Sequence, residues 1–432
     1  MNNNIETKIE NLGIPKIPSP LKYKNFVSDD KKVIIDPTLT YYNKCKKDGT
    51  EPVTLELSGP REKIYFEPKK VKCAIVTCGG LCPGINNVVR AIVLELYYMY
   101  GVKNIQGIKY GYQGLIPEFG HELVELNPEM VVHINELGGS VLVSSRGLYD
   151  ISEIVDSLER LNINILFTIG GDGTLRGALK ITEEILKRGY KCGVIGIPKT
   201  IDNDINLLAK SFGFQTAVEI ASKVITSAHT EALGAPNGIG LVKLMGRHSG
   251  FIAANAALAQ REVNFVLIPE LDFDLEGEAG FLNSLKKRIV ERKHAVIVVA
   301  EGAGQKFFNP SKLGKDASGN QKLGDIGNFL KDKINAYFKR ENISINLKYI
   351  DPSYMIRSVP ANSNDSIFCG FLGQNAVHAG MAGKTGMIVG IWNNLYINIP
   401  IKSAISKRKQ IHLDDNLWLS VLESTGQPPF KG

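Results

Sequence analysis

An unbroken apolar run at residues 163–169 ends in Gly170-Gly171-Asp172-Gly173-Thr174, and a helical pattern follows from Leu175. This junction constrains the fold more than any other stretch. An apolar run without alternation is the mark of a strand covered on both faces, the habit of parallel sheets flanked by helices. The glycines let backbone approach a phosphate chain, the helix N-terminus offers unpaired N–H groups to it, and Asp172 is an oxygen ligand suited to an accompanying magnesium ion. The layout is that of a phosphate-binding turn. Downstream, Pro198-Lys199-Thr200-Ile201-Asp202-Asn203-Asp204 adds two further carboxylates. Asp202 is a candidate base for a hydroxyl nucleophile, and Thr200 is a small hydroxyl beside it.

The 432 residues suffice for two domains, and 44% apolar with 22% charged residues excludes disordered and fibrous classes. The net charge of +7 is spread along the chain and approaches clusters only at residues 44–47 and 402–409. No basic stripe interleaves with aromatics, so small anions are the expected partners rather than nucleic acid. The six cysteines (Cys45, Cys73, Cys78, Cys82, Cys192, Cys369) show no disulfide framework and mostly sit in apolar runs, as in a reducing compartment. Cys78 and Cys82 lack the spacing and the second pair of a common zinc site. No leader pattern and no membrane-length apolar stretch is visible, so the expectation is a cytoplasmic protein without membrane association.

Residues 1–70 are rich in Pro, Lys, Asp and Asn, alternate only at Val53-Thr-Leu-Glu-Leu, and read as an extension wrapped on a core. From Val71, apolar strands alternate with amphipathic helices. Strands are expected at 73–77, 105–108, 163–169, 193–197, 239–244, 264–268, 295–300, 343–349 and 386–390, with a helix over 85–98. This predicts an α/β fold with two doubly wound, Rossmann-like lobes. The polar stretch 307–324 reads as a surface loop. The segment from Lys402, with Trp418 and Leu419, reads as a docked helix or arm.

Thr77-Cys78-Gly79-Gly80-Leu81-Cys82-Pro83-Gly84-Ile85-Asn86 follows a strand and opens a helix, yet it is neither a dinucleotide fingerprint nor a Walker loop. Beside the Gly170 turn it gains weight, because open sheets bind ligands at the carboxyl ends of their strands. Ser144-Ser145-Arg146-Gly147 offers an arginine able to offset charge on a moving phosphoryl group. Lys243-Leu-Met245-Gly246-Arg247-His248 places Arg247 for a second phosphate or a substrate hydroxyl, with His248 read as a capping or surface residue. Glu301 ends a strand, where a carboxylate accepts sugar hydroxyls or makes a salt bridge. Lys348 through Arg357 adds two cations and a phenol, which suits a phosphomonoester.

Taken together, Gly79-Gly80-Leu-Cys-Pro83-Gly84-Ile-Asn86, Gly171-Asp172-Gly173-Thr174, Pro198-Lys199-Thr200-Ile201-Asp202-Asn203-Asp204, Met245-Gly246-Arg247 and Pro352-Ser-Tyr354-Met-Ile-Arg357 resemble the 6-phosphofructokinases over residues 71–400, in particular their long-chain branch. The resemblance implies a glycolytic, allosterically controlled homo-oligomer, dimer or tetramer, that moves the γ-phosphoryl group of MgATP to the 1-hydroxyl of fructose 6-phosphate. It assigns Gly80, Arg146, Gly147, Gly171, Asp172, Gly173 and Thr174 to the nucleotide, with Asp172 on Mg2+. Thr200, Ile201 and Asp202 match positions beside the 1-hydroxyl, Asp202 as proton acceptor, with Asp204 in the same catalytic turn. Met245, Gly246, Arg247, Glu301, Lys348, Tyr354, Met355, Ile356 and Arg357 match positions that hold the sugar phosphate. The implied organisation is an extension at 1–70, a nucleotide lobe at 71–213 completed by part of 357–405, and a sugar-phosphate lobe at 214–356 completed by the C-terminal segment to 432.

Two positions depart from the short bacterial members. Gly238 stands where they donate an arginine across a subunit interface, and Tyr354 replaces a histidine. Donor choice turns on Gly173, because pyrophosphate users carry an aspartate there that crowds and repels the α-phosphate of ATP. Lys199 points weakly towards pyrophosphate. Sterics at the α-phosphate exclude ATP whereas a lysine excludes nothing, so ATP is the expected donor. NAD and lipid kinases share the Gly-Gly-Asp-Gly-Thr turn but are not expected to share the Thr200–Asp204 and Met245–Arg247 segments. A pyrophosphate-dependent enzyme and a silent regulatory sugar-phosphate-binding subunit are the alternatives, and the latter would be marked by loss of Asp172 or Asp202, which are both present.

Overall fold

The structure, a computed structural model, describes residues 5–314 and 321–430. Its backbone divides into two compact units. The first comprises Met1–Thr200, Ile205–Gly213 and Val359–Arg408, and the second Ile201–Asp204, Phe214–Ser358 and Lys409–Gly432.

The first unit is organised by a nine-stranded sheet. Its centre is parallel, in the order Met387–Trp392, Gly193–Pro198, Ile165–Gly170, Lys72–Thr77 and Asn104–Ile108. Side chains alternate across this sheet as the pleat requires. Ala74, Val76, Leu166, Val194 and Ile388 share one core with the inward residues of the helices Ile151–Arg160 and Asp172–Arg188. On the strand Ile165–Gly170, Ile165 and Phe167 meet the helix Ser363–Met381 at Gly380. Burying a side chain the size of Phe167, which is fully enclosed, contributes about 1.5–3 kcal/mol.

The chain runs from Lys72–Thr77 to its neighbour Asn104–Ile108 on one side, then crosses to Ile165–Gly170 on the other. Winding reverses there, and a doubly wound sheet opens its ligand crevice at that point. Thr77 and Ile169 are register partners, so the turns that follow both strands emerge side by side.

Of the antiparallel margins of this sheet, the alternation at Val53-Thr-Leu-Glu-Leu marks the strand Thr54–Leu57, and the other three strands were hidden from sequence reading. Leu395–Pro400, Thr54–Leu57 and Lys32–Ile34 extend one edge and Leu123–Glu125 the other. The N-terminal extension therefore supplies strands to the sheet as well as wrapping it. A charge cluster fastens it: Arg61 lies 2.6 Å from Asp29 and 2.8 Å from Glu56, and the buried Lys384 lies 3.0 Å and 2.9 Å from the same two carboxylates.

In the second unit a four-stranded parallel sheet runs Phe265–Leu267, His294–Ala300, Gly238–Leu244 and Asn346–Ile350. All nine strands expected from the sequence are present across the two sheets. The expected helix over 85–98 is α-helical through Leu94 and continues as a π-helical turn, Glu95–Tyr100. The helix after the Gly170 turn starts at Asp172, because Gly171 is its cap. Within the expected loop at 307–324, residues 315–320 lie outside the described residues. Near the C-terminus the helix Asn416–Thr425 buries Trp418 and leaves Leu419 half exposed.

Candidate active site

Four segments of the first unit converge at the carboxyl ends of its central strands. Gly170 closes one strand with Thr174 folded tightly against it, and a β-carbon at Gly170 would lie 2.1 Å from the Thr174 hydroxyl. Only glycine fits there. Gly171 caps the helix Asp172–Arg188 without a side chain, so the first-turn N–H groups keep the partner-poor, electropositive character of a helix start. The N–H of Lys199 donates to the Gly170 carbonyl at 2.9 Å, and the Lys199 ammonium donates to the carbonyl of Gly80. The loop carrying Arg146 and Gly147 is stitched on by the Ser144 hydroxyl, which donates to Gly79 O at 2.7 Å, and by the Gly79 N–H, which donates to Ser145 O at 3.2 Å. Gly80, the Arg146 loop, Gly171–Thr174 and Lys199-Thr200 are thus one cluster, with Arg146, Gly147 and Gly173 exposed.

Asp172 carries two contacts that sequence reasoning missed. Arg176 Nε lies 3.1 Å and Arg408 Nη2 3.2 Å from the same oxygen, Oδ2. Arg176 was readable as an i+4 partner on one helix. Arg408 comes from a basic stretch remote in sequence that was read only as part of a docked arm.

The second unit interlocks the turns after two neighbouring strands, Gly238–Leu244 and His294–Ala300. The N–H of Glu301 donates to Leu244 O at 2.9 Å and that of Gly302 to Gly246 O at 3.1 Å. A β-carbon at Gly302 would lie 2.0 Å from the Arg247 carbonyl, so the two turns touch only because residue 302 has no side chain. Met245, Gly246, Arg247 and Glu301 are therefore held together. The Ser249 hydroxyl donates to the Asp202 carbonyl at 3.0 Å, which adds the Ile201–Asp204 turn to this group. Asp204 and Ile201 are buried in it.

Electrostatics join Arg357 to the same cluster. Burial raises the Glu301 carboxyl above its ordinary pKa, while the charges of Arg247, Lys243 and Arg357 pull against that shift. Burial alone would lower the Lys243 ammonium; its hydrogen bond and charge pairing with Asp351, 2.7 Å away, instead raise it. Lys243 stood in the quoted motif without a role, and it is the third cation around Glu301. In the turn Met355–Arg357, Ile356 is fully buried as the anchor, whereas Met355 and Tyr354 are exposed and the Arg357 guanidinium lies 5.1 Å over the Tyr354 ring. Lys348 is exposed in mid-strand opposite Gly240, away from the strand end where Arg357 sits. His248 is half-buried, and its carbonyl accepts from Gln410 at 3.0 Å.

The first unit is thus suited to an anionic, phosphate-bearing ligand and the second to a ligand with hydroxyls and a second anionic group. Among known proteins, the family described as phosphofructokinase matches residues 72–380. The chain is 53% identical over 440 residues to the ATP-dependent 6-phosphofructokinase of Borreliella burgdorferi, covering 99% of this chain and 98% of that one. It is 46% identical over 423 residues to ATP-dependent 6-phosphofructokinase 7 of Arabidopsis thaliana, covering 97% and 87%. The fold is similar to that of the crystal structure of a pyrophosphate-dependent phosphofructokinase from Marinobacter aquaeolei, with a TM-score of 0.67, 19% identity and coverage of 84% and 92%. By its motifs, its fold and these relatives, the chain belongs to the phosphofructokinase family.

Proposed function

We infer that this protein is a kinase that transfers the γ-phosphoryl group of MgATP to the 1-hydroxyl of fructose 6-phosphate, giving fructose 1,6-bisphosphate. The observation that carries the donor is Gly173. At the start of the phosphate-binding helix, a β-carbon there would meet no atom within 4 Å. In this reading that open space is where the α-phosphate lies. The relatives named above, similar over nearly the whole chain, are ATP-dependent enzymes.

In this reading, the first-turn N–H groups from Asp172 to Thr174, with Gly80, Gly147 and Gly171, cradle the triphosphate. Asp172 fits a magnesium ion: it is a partly buried carboxylate at the first residue of the phosphate-binding helix, and magnesium is commonly held by one or two carboxylates and substrate phosphates. Held there by Asp172, such an ion would supply positive charge to offset that of the phosphates. Arg146 and Arg247 offset charge on the moving group. Asp202 takes the proton of the 1-hydroxyl, with Thr200 and Asp204 ordering the turn, and Glu301 accepts sugar hydroxyls. Arg357 and Tyr354 hold the 6-phosphate, and Lys348, exposed in mid-strand away from them, is given no part in it within this chain. Six free, buried cysteines fit a reducing compartment, and we place the reaction in the cytoplasm, carried out by a homo-oligomer.

The test is a donor assay on the purified protein at fixed fructose 6-phosphate. MgATP gives the bisphosphate and pyrophosphate gives negligible product; the reverse overturns the donor, and inactivity with both favours a regulatory subunit. In parallel, Asp202→Asn keeps the side chain's size but cannot accept the proton, and turnover falls by about 10²–10⁴-fold. An Asn variant retaining a third of wild-type turnover removes Asp202 from the role of base.

A further inference from the structure

We propose that Arg408 is a positioning residue for the metal-bound nucleotide: with Arg176 it fixes the Asp172 carboxylate through one oxygen, so that the other is presented to the divalent ion. The proposal rests on the reading of Asp172 as the metal-facing carboxylate.

Both guanidinium groups converge on Oδ2, at 3.1 Å from Arg176 and 3.2 Å from Arg408. Oδ1 has neither contact. Asp172 is the first residue of its helix, where a short side chain with no cross-link samples several rotamers. Arg176 is half exposed and sits on the same helix as Asp172. Arg408 adds an anchor from outside it.

That anchor is itself fastened. Arg408 forms an antiparallel bridge with Ile205, the Asn206 side chain donates to Ser403 O at 3.1 Å, and the Asn206 N–H donates to Ala404 O at 3.2 Å. Arg176 Nη2 donates to Ile405 O at 3.3 Å, so both guanidinium groups are tied to one stretch of chain. The path from Asp172 to Arg176 to Ile405 to Arg408 and back is closed. A closed polar set around a carboxylate is the arrangement that orients metal ligands from behind, and loss of such a supporting group typically weakens metal affinity about 10–100-fold.

A positioning role and a plain phosphate-binding role separate in one measurement. The full-length protein is titrated with ATP in the presence of Mn2+, and again with metal-free ATP in chelator, and the ratio of the two Kd values gives the advantage conferred by the metal. Arg408→Ala shrinks that ratio by about tenfold. In an Asp172→Asn background the same substitution leaves the ratio where Asp172→Asn put it. If both Kd values rise together, Arg408 contacts phosphate and the proposal fails; if Mn2+·ATP binds Arg408→Ala more tightly, Arg408 competes with the ion and the proposal also fails. Should Arg408→Ala not fold, Arg408→Met keeps the aliphatic stem without any donor to Asp172 and gives the same shrinkage. An Asp172→Asn protein with the wild-type ratio overturns the reading of Asp172 instead, and leaves Arg408 with nothing to position.

Discussion

The ammonium of Lys199 donates to the backbone carbonyl of Gly80, tying the turn after one central strand to the turn after its neighbour but one. Lys199 is buried, and the bond it makes to the half-buried Gly80 is partly shielded from solvent. Lys199→Met keeps the aliphatic stem and leaves the carbonyl without that donor, at a cost of about 1–3 kcal/mol. Urea denaturation reads that loss. The apparent KM for ATP rises while that for fructose 6-phosphate holds, because the proposed reading assigns Gly80 to the nucleotide. An unchanged ATP KM in a destabilised protein would confine Lys199 to a structural role.

Arg357 offers the complementary test on the other substrate. Its charge acts on Glu301 from a turn anchored by the buried Ile356, so truncation removes a cation without moving the backbone that presents it. Arg357→Ala raises the KM for fructose 6-phosphate by about 10–100-fold, the worth of one charged hydrogen bond. A rise in the ATP KM instead would assign the turn to the wrong substrate.

What was legible in the sequence had local causes. The strand at Ile165–Gly170 shows itself because burial on both faces demands continuous apolar side chains, and Gly170 because the next turn needs Thr174 in its β-carbon's place. Among the antiparallel edge strands the alternating Thr54–Leu57 was legible, but Lys32–Ile34 is too short to carry a period, and Leu395–Pro400 pairs through a two-residue Asn393-Asn394 turn with both residues left-handed. That turn signal was readable and was passed over. Lys243 was overlooked because its partners, Asp351 and Asp325, approach from elsewhere in the chain. Arg408 meets Asp172 across 236 positions, and no local pattern encodes that.

Gly173 tests donor choice without the usual ambiguity about folding. The position has open space around it, and an acidic residue in a helix's first turn is favourable by about 0.3–1 kcal/mol. Gly173→Asp therefore folds with wild-type stability or slightly more, yet loses ATP turnover through crowding and like-charge repulsion at the α-phosphate. Weak pyrophosphate activity can emerge, because Lys199 already supplies a cation. A variant that still turns over ATP at wild-type rate would show that residue 173 does not face the donor.

Glu95 and His378 lie 3.9 Å apart in the interior of the first unit, with Tyr100 hydrogen-bonded to the histidine at 2.8 Å. Burial shifts the two in opposite directions: Glu95 rises from 4.5 to about 7, and His378, with the charge of Arg61 adding to burial, falls from 6.5 to about 4. The raised glutamate binds an extra proton in the folded state, so its contribution is present below pH 4.5 and is lost as pH rises towards about 7. The depressed histidine contributes above pH 6.5 and loses that contribution as pH falls towards about 4. Over the shared window the two slopes cancel, and stability against pH is nearly flat from this pair. Glu95→Gln removes one slope and leaves the other. Its stability then falls on acidification from pH 6.5 towards 4 by up to about 1.4 kcal/mol per pH unit more steeply than wild type, read by urea denaturation at stepped pH. His378→Gln shows the converse, a stability that declines as pH rises through the same window. Parallel curves for wild type and both variants would mean that neither group changes its proton affinity on folding.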